Sequence, residues 1–519
     1  MTISIVRQVI VCGLLGSCLL NGIPACAEDE IPVPDGLVCA KSDMPIELVG
    51  SLKSLNERLA SAVSPERNAV NWLLIAIGAD AFEPELKSDS LAMLGLKTLP
   101  AGSPQFVPLG DFAKFLDGVP PEMAHEAALQ IQDELFAAAE APWPRERFPR
   151  LVSYFEANGP ALKTIAAASR QPGYYAPLLS VESPPRLMGA ALNIERRFPF
   201  LARMYNARAM LALQEGRLPE AIDDLMTCHR LARLLAVGSP MDVSQAKAHV
   251  VDAFAARGEM QLLASGKVQG EVLESLTQQF RSLPDMPTAD LAAGIGERAI
   301  VHQEIELLST DPLSVAGFFE EPGGSGPGKT SPVPSMETVK WQAAIGRADE
   351  IWDEIVTALA TRDREQQRRR FVKLDEFFAS IDGTADEHDK KFAEQLLKDP
   401  VATSRWVGES LATALRPILW QRRLSDDRSR ARHDLVALGL ALLNYHAKQG
   451  QFPAQLEALQ PEFLAALPPD AHSDGSYLYF RDADHAVRVM TLGANLKDDA
   501  GSPYNDDTTV EIRWVEQAP

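Results

Sequence analysis

A succession of helical segments, each ended by proline or glycine, dominates the chain from about Ile46 onwards. The clearest example spans residues 195–237, where the first helix ends at Gly216 and Pro219 opens the second. Glycine is favoured just after a helix and proline in its first turn, so this pair predicts a helical hairpin. A second hairpin is predicted around Gly266. The pattern therefore predicts a mainly α-helical body.

The first hairpin also has the spacing of small and large residues found in a tetratricopeptide repeat. Small residues let two helices approach closely, and a leucine fills the gap between them. The positions concerned are Ala209, Ala212, Gly216, Ala221 and Leu225. Solenoids need about three or more repeats to bury a continuous core. Because only two loosely similar hairpins are present, we expect an irregular body of tetratricopeptide-like hairpins rather than a true repeat array.

Prolines and glycines also set the internal boundaries of the helical part. Residues 149–158 and 161–170 predict two helices, because Asn158-Gly159-Pro160 disfavours a helix interior. Residues 311–336 are rich in glycine and proline and predict a linker or exposed loop. This divides the helical part into a domain at 28–310 and a further helical segment at 337–424. In the latter, the arginines of 362–370 alternate with acidic residues and are interpreted as a solvated helix face.

Residues 425–519 have a different pattern, which predicts a small α+β module. Ser425-Asp426-Asp427 is typical of a helix start. The apolar face of the predicted helix consists of Ala431, Leu435, Leu438, Leu442 and Tyr445. After Gly450, alternating residues predict strands at 477–480, 487–492 and 510–515. We expect one helix packed on a three-stranded antiparallel sheet.

The first 27 residues have the features of a secretory signal. Arg7 supplies a positive charge, Val9–Leu20 is an apolar run, and Ala25-Cys26-Ala27 matches a cleavage site. A lipoprotein signal is the alternative, with Cys18 or Cys26 as the lipidated residue. No later stretch reaches 18 uninterrupted apolar residues. We therefore expect an exported protein, periplasmic or extracellular and either free or lipid-anchored, without a transmembrane span in the mature chain.

Charge and motif patterns exclude several classes of partner. The 71 acidic residues outnumber the 50 basic ones, which argues against a nucleic-acid binder. Residues 323–330 match the phosphate-binding loop expression, but no strand precedes them and Pro332 and Pro334 follow, so no nucleotide site is expected.

The mature chain contains two cysteines, Cys39 and Cys228, which either form a disulfide or are separate buried thiols.

One short loop concentrates acidic residues after the second predicted strand. Asp498, Asp499, Asp506 and Asp507 fall within residues 495–507. Such carboxylates repel one another unless they are solvated or neutralised. Calcium prefers six to eight oxygen ligands, so these four aspartates are candidate calcium ligands, although their spacing is not that of an EF-hand. The alternative is an exposed acidic loop that joins two strands.

Residues 431–515 resemble the globular part of the major pseudopilin of type II secretion. The resemblance is carried by Leu442-Leu443-Asn444-Tyr445-His446, Gly450-Gln451-Phe452-Pro453, Tyr477-Leu478-Tyr479, Gly493-Ala494-Asn495 and the acidic loop. That family binds calcium in its last acidic loop. The resemblance therefore implies the same role for Asp498, Asp499, Asp506 and Asp507. Asn495-Leu496 stands where the family usually has Asp-Gly.

Further upstream, the chain resembles a family of large exported bacterial proteins that have the same C-terminal ending. The residues concerned are 66–72, 145–149, 156–158 and 208–216. This resemblance implies an architecture and no activity. Together these patterns favour a non-enzymatic interaction or scaffold protein of the cell envelope that holds a protein partner. The alternatives are an enzyme with an acid/base carboxylate site in the helical body, and an accessory subunit of a secretion or pilus-like machine.

Overall fold

The computed structural model describes residues 38–39, 50–99, 105–116, 118–310, 339–382, 399–483, 485–498 and 506–515. The predicted signal and the predicted 311–336 linker lie outside these residues. The fold is mainly α-helical with a small C-terminal antiparallel sheet, as predicted. None of the helices in the described ranges combines the length and the apolarity that a bilayer crossing requires.

The elements follow one another along the chain. The first helices are α1 (Gly50–Ser61), α2 (Ala69–Ile77), α3 (Lys87–Met93), α4 (Leu109–Lys114), α5 (Ala124–Ala138) and α6 (Pro149–Ser169). They are followed by α7 (Phe198–Gln214), α8 (Leu218–Gly238), α9 (Asp242–Ala264), α10 (Gly270–Arg281), α11 (Ala289–Ala292) and α12 (Arg298–Thr310). A π-helix at Ala293–Glu297 connects α11 to α12. The last helices are α13 (Trp341–Ala360), α14 (Arg364–Asp382), α15 (Pro400–Ala414) and α16 (Leu419–Gln449).

Among the residues that the structure describes, two small sheets accompany the helices. Strands β1 (Val38–Cys39) and β2 (Leu96–Thr98) form an antiparallel pair. Strands β3 (Leu478–Ala483), β4 (Ala486–Thr491) and β5 (Thr508–Arg513) form an antiparallel sheet in the order β3-β4-β5. The three predicted C-terminal strands are thus confirmed, with their boundaries shifted by one to three residues.

The two predicted hairpins are confirmed. Helices α7 and α8 are separated by Gly216, whose φ of +76° suits glycine. Helices α9 and α10 are separated by Gly266 in the same backbone region. Helices α7, α8 and α9 pack against one another and form the centre of the helical body.

The C-terminal sheet packs against this helical centre, because β5 contacts both α9 and α16. Gly439 of α16 marks the closest approach. A Cβ atom there would lie 2.7 Å from a methyl carbon of Leu263 and 3.4 Å from Ile512. The sheet residues Val487, Val489, Val510 and Ile512 accordingly belong to the same hydrophobic core as the helical body.

A second core lies beside the first. Its members come mainly from α12, α13, α14 and α15, with Trp352, Ile355 and Phe371 fully buried. Helix α16 contributes Leu419 to this second core and residues 435–443 to the main core. The predicted helical segment at 337–424 thus builds its own core together with α12.

The predicted break at Asn158-Gly159-Pro160 is wrong, because α6 is one helix that contains Pro160. Leu151 and Phe155 before the proline and Ile165 after it are all buried in the main core. The Asn158 side chain also donates a hydrogen bond to the carbonyl of Tyr154. Tertiary burial on both sides of Pro160 thus outweighs the local cost of proline in a helix.

The predicted start of the last long helix at Ser425 is also wrong. Helix α16 begins at Leu419, so Ser425, Asp426 and Asp427 lie within it. Burial of Leu419 in the second core extends the helix towards its N-terminus. Its C-terminus lies at the predicted place, where Gly450 has a φ of +74°.

Candidate functional site

The acidic loop lies at the end of the C-terminal sheet, between β4 and β5. Asp498 is exposed, whereas Asp506 and Asp507 are half-buried just before β5. Asp499 lies outside the described residues. Of the four predicted ligands, the structure therefore places three, at the two ends of the loop.

Asp506 holds the two ends of this loop together. Its Oδ2 accepts hydrogen bonds from the backbone N–H groups of Ala494 at 2.8 Å and Asn495 at 3.4 Å. Gly493 has a φ of +65°, and a Cβ atom there would lie 2.5 Å from the carboxyl carbon of Asp506. Only glycine allows this approach without strain. Asp506 thus fixes the backbone that leaves β4.

Asp506 provides one oxygen of the kind that a bound cation would need. Oδ1 of Asp506 is buried and receives no hydrogen bond from the described residues. Such an oxygen suits a cation ligand. Within the described ranges, however, no three His, Cys, Asp or Glu side chains are grouped as a metal site requires.

A buried polar cluster lies at the centre of the helical body, where α8 faces α9. Nδ1 of His229 lies 2.6 Å from Oδ1 of Asp252, and Nε2 lies 3.0 Å from Oε2 of Glu259. Arg233 donates a second hydrogen bond to Oδ1 of Asp252, at 2.7 Å, and another to the carbonyl of Pro284. We call His229, Arg233, Asp252 and Glu259 the histidine cluster. All four side chains are at most 5% exposed.

The two carboxylates hold a proton on His229. Burial lowers the pKa of the imidazole, but attraction to Glu259 and Asp252 and the hydrogen bonds to them outweigh burial and raise the pKa to about 9. Burial likewise acts to raise the pKa of Asp252, and His229 and Arg233 reverse this so that the pKa is lowered overall. The cluster is therefore a buried ion-pair network in which both ring nitrogens of His229 act as donors.

Helix α16 closes the histidine cluster on a third side. His433 stacks on Phe280 with ring centroids 4.5 Å apart, and the ring of His229 lies edge-on to the same Phe280. Burial and the positive charges of Arg233 and His229 lower the pKa of His433 to about 4. His433 is therefore a neutral side chain beside a charged one. At this position, α16 therefore presents an uncharged ring to the cluster rather than a further cation.

Two other carboxylates act as long-range helix caps. Oδ2 of Asp426 in α16 accepts a hydrogen bond from the first N–H of α11, at Ala289. Oε1 of Glu297, in the π-helix, accepts one from the first N–H of α9, at Asp242. Burial raises the pKa of both acids to about 7. These acids satisfy N–H groups that a helix start leaves without partners.

Cys228 is a free, buried thiol on α8. Its Sγ lies 3.6 Å from the carbonyl of Ala202, and burial raises the thiol pKa well above its usual value. A raised pKa suppresses the reactive thiolate. The alternative of a separate buried thiol thus holds for Cys228.

The histidine cluster is not among the sequence-predicted sites. The sequence shows Cys228 and His229 as neighbours, and adjacent helical residues do not face each other. The available signal is the spacing: His229 and Arg233 are four apart on one helix, and Asp252 and Glu259 are seven apart on the next. Each spacing puts both polar side chains on one helix face. His229 is buried, and both of its ring nitrogens have carboxylate partners.

Comparisons with protein-family models, with curated proteins and with solved structures found no match.

Proposed function

We propose that this protein is an exported, non-enzymatic interaction protein of the cell envelope that holds a protein partner on its helical body. The observation that carries the proposal is a set of exposed apolar side chains on the α4–α5 hairpin. Phe115 is 83% exposed, Met123 43% and Leu129 48%. The same hairpin contains a small hydrophobic cluster of alanines that is distinct from the main core. Phenylalanine and methionine are enriched in protein interfaces, so this hairpin suits a protein partner.

The buried polar groups support a structural rather than a catalytic role. In the histidine cluster, both nitrogens of His229 are engaged by carboxylates. Asp426 and Glu297 each accept a hydrogen bond from the start of a helix. Their hydrogen bonds connect α8 with α9, α16 with α11 and the π-helix with α9, as a structural role requires.

The test is capture of partners from envelope extracts by chemical cross-linking. The tagged protein is compared with the double variant Phe115→Asp and Leu129→Asp, and with Val401→Asp as control. Val401 is 49% exposed on α15, so its replacement adds a charge at a similarly exposed site. We expect a partner that the double variant loses and the control keeps. Equal capture by all three proteins, or none above background, would contradict the proposal.

Export has its own test, because the two signal interpretations predict different mature proteins. Cleavage after Ala27 leaves Glu28 as the first residue, whereas lipidation leaves a modified Cys18 or Cys26. Mass spectrometry of the protein from cell fractions distinguishes these products. An unprocessed N-terminus found in the cytoplasm would contradict export.

We also propose that calcium orders the acidic loop through Asp498, Asp499, Asp506 and Asp507. The buried, unengaged Oδ1 of Asp506 supports this role. A ligand that binds the folded state must raise the melting temperature. We expect calcium to raise it relative to chelator, and the Asp498→Asn and Asp506→Asn variants to lose the shift. An unchanged melting temperature in the unsubstituted protein would contradict calcium binding.

A further inference from the structure

A groove between α13 and α14 forms a cavity of about 330 Å³ on the second core. Ile351 and Leu374 form its floor, together with the ring of Phe377. Ile351 and Leu374 are buried, while Phe377 is half-buried. The volume lies at the lower end of the range of small-molecule sites. The floor would accept a short apolar group.

The rim of the groove is basic. Arg347, Arg369, Arg370 and Lys373 stand against two acidic residues, Glu350 and Glu354. Four positive and two negative charges give the lining a formal charge of +2, in a chain whose net charge is −21. Outside the lining, Glu409 pairs with Arg347 and Glu365 pairs with Arg369. The positive charge that the groove offers to a ligand therefore rests on Arg370 and Lys373.

Neighbouring groups hold part of this rim in place. Arg347 donates hydrogen bonds to Glu409 at 2.6 Å and to Glu350 at 2.7 Å, and its guanidinium lies 5.6 Å from the ring centroid of Phe377. These contacts fix Arg347 over the apolar floor. Arg370 approaches Glu354 only at 3.4 Å, and Lys373 is exposed. Arg370 and Lys373 are thus the cations best placed to meet an incoming anion.

We propose that this groove binds a small amphiphilic carboxylate, with its apolar tail on Ile351, Leu374 and Phe377 and its head beside Arg370 and Lys373. Guanidinium and ammonium groups bind carboxylates through charge-assisted hydrogen bonds. An apolar floor adds affinity for a hydrocarbon tail and none for a small hydrated anion. This inference concerns different helices from the α4–α5 hairpin and does not depend on the proposed protein partner.

The experiment measures binding of decanoate to the full chain by titration calorimetry, below the micelle concentration. Butyrate tests the head group alone, and decylamine tests the tail with the opposite charge. The double variant Arg370→Gln and Lys373→Gln is compared with Lys53→Gln and Lys114→Gln, which removes two positive charges from exposed positions elsewhere. Both pairs are surface residues, so folding is expected to be preserved and is checked by circular dichroism.

We expect decanoate to bind, butyrate and decylamine to bind at least tenfold more weakly, and the groove variant to lose at least tenfold in affinity while the control does not. Vesicles of phosphatidylcholine containing decanoic acid distinguish a free carboxylate from one presented at a lipid surface. Retention of the protein on these vesicles through Arg370 and Lys373 supports the lipid source. Binding only in solution supports the free one. No decanoate binding, or equal affinity in both double variants, would overturn the proposal.

Discussion

Nδ1 of His229 lies 2.6 Å from Oδ1 of Asp252, and this contact joins two helices of the body through side chains that are at most 4% exposed. The other ring nitrogen lies 3.0 Å from Oε2 of Glu259, which follows Asp252 by about two turns on α9. The imidazolium therefore neutralises carboxylates that would otherwise lie together in the core. Removing one member of such a network leaves the others uncompensated.

Replacement of His229 by leucine should strongly destabilise the fold. Asp252 retains Arg233, but Glu259 loses the only cation that the described contacts give it. We expect a loss of about 3–5 kcal/mol in the free energy of unfolding, measured by urea denaturation. His125→Leu, at an exposed position on α5, is the control. Equal losses in the two variants would show that the network contributes nothing specific.

The same histidine predicts a loss of stability at alkaline pH. Its pKa is about 9 in the folded protein and about 6.5 when unfolded, so the folded state binds this proton more tightly. The stabilisation is complete below pH 6.5 and is lost as the pH rises through 9. We expect the free energy of unfolding to fall over this range. In the His229→Leu variant, the fall should be shallower; identical slopes would contradict the assignment.

Asp426→Asn should stabilise the protein at pH 8 and not at pH 4. The pKa of Asp426 is about 7 when folded and near 3.8 when unfolded. Its contribution to stability is therefore present below pH 3.8 and lost as the pH rises through 7. The asparagine oxygen can still accept the hydrogen bond from Ala289, without a buried charge. We expect a gain of roughly 1–3 kcal/mol at pH 8 from thermal unfolding.

The control for this prediction is Asp89→Asn, at an exposed position on α3. This variant removes the same negative charge, but from an exposed rather than a buried side chain. A gain at pH 8 in both variants would indicate a general effect of net charge. A loss at pH 8 in Asp426→Asn would contradict the prediction directly.

Gly493→Ala should destabilise the protein more than Gly450→Ala. Both glycines have a positive φ, which costs an alanine about 1 kcal/mol or more. At Gly450 no atom lies within 4 Å of the added carbon, whereas at Gly493 the carboxyl carbon of Asp506 would lie 2.5 Å away. The difference in melting temperature between the variants measures this clash. Equal melting temperatures would contradict a tight approach of Asp506.

Helix positions were predictable where apolar periodicity and end signals agree. Gly216, Pro219 and Gly450 mark helix boundaries that the structure confirms. Pro160 wrongly predicts a helix end, because the buried residues on both sides of it pack against residues that are distant in the sequence. A local pattern does not show these contacts. The start of α16 at Leu419 likewise depends on a neighbouring core, which a local pattern does not reveal.

The candidate sites were predictable to different degrees. The acidic loop is visible because its aspartates are close in sequence. The histidine cluster depends on the rotation of α8 relative to α9, which brings His229 to residues 23 and 30 positions later in the chain. The spacing of polar residues along one helix can be read from the sequence. Which helix face packs against these residues is decided by the tertiary packing, which the sequence pattern does not show.

Helix α16 has a consequence for how this protein can be divided. It is 31 residues long, so it spans about 46 Å as one rod. One end is anchored in each hydrophobic core, since Leu419 lies in the second core and Leu435 in the main core. A chain cut at residue 424 would sever this rod and expose an apolar surface on both fragments. The C-terminal module is therefore an integral part of the helical body rather than a separable domain.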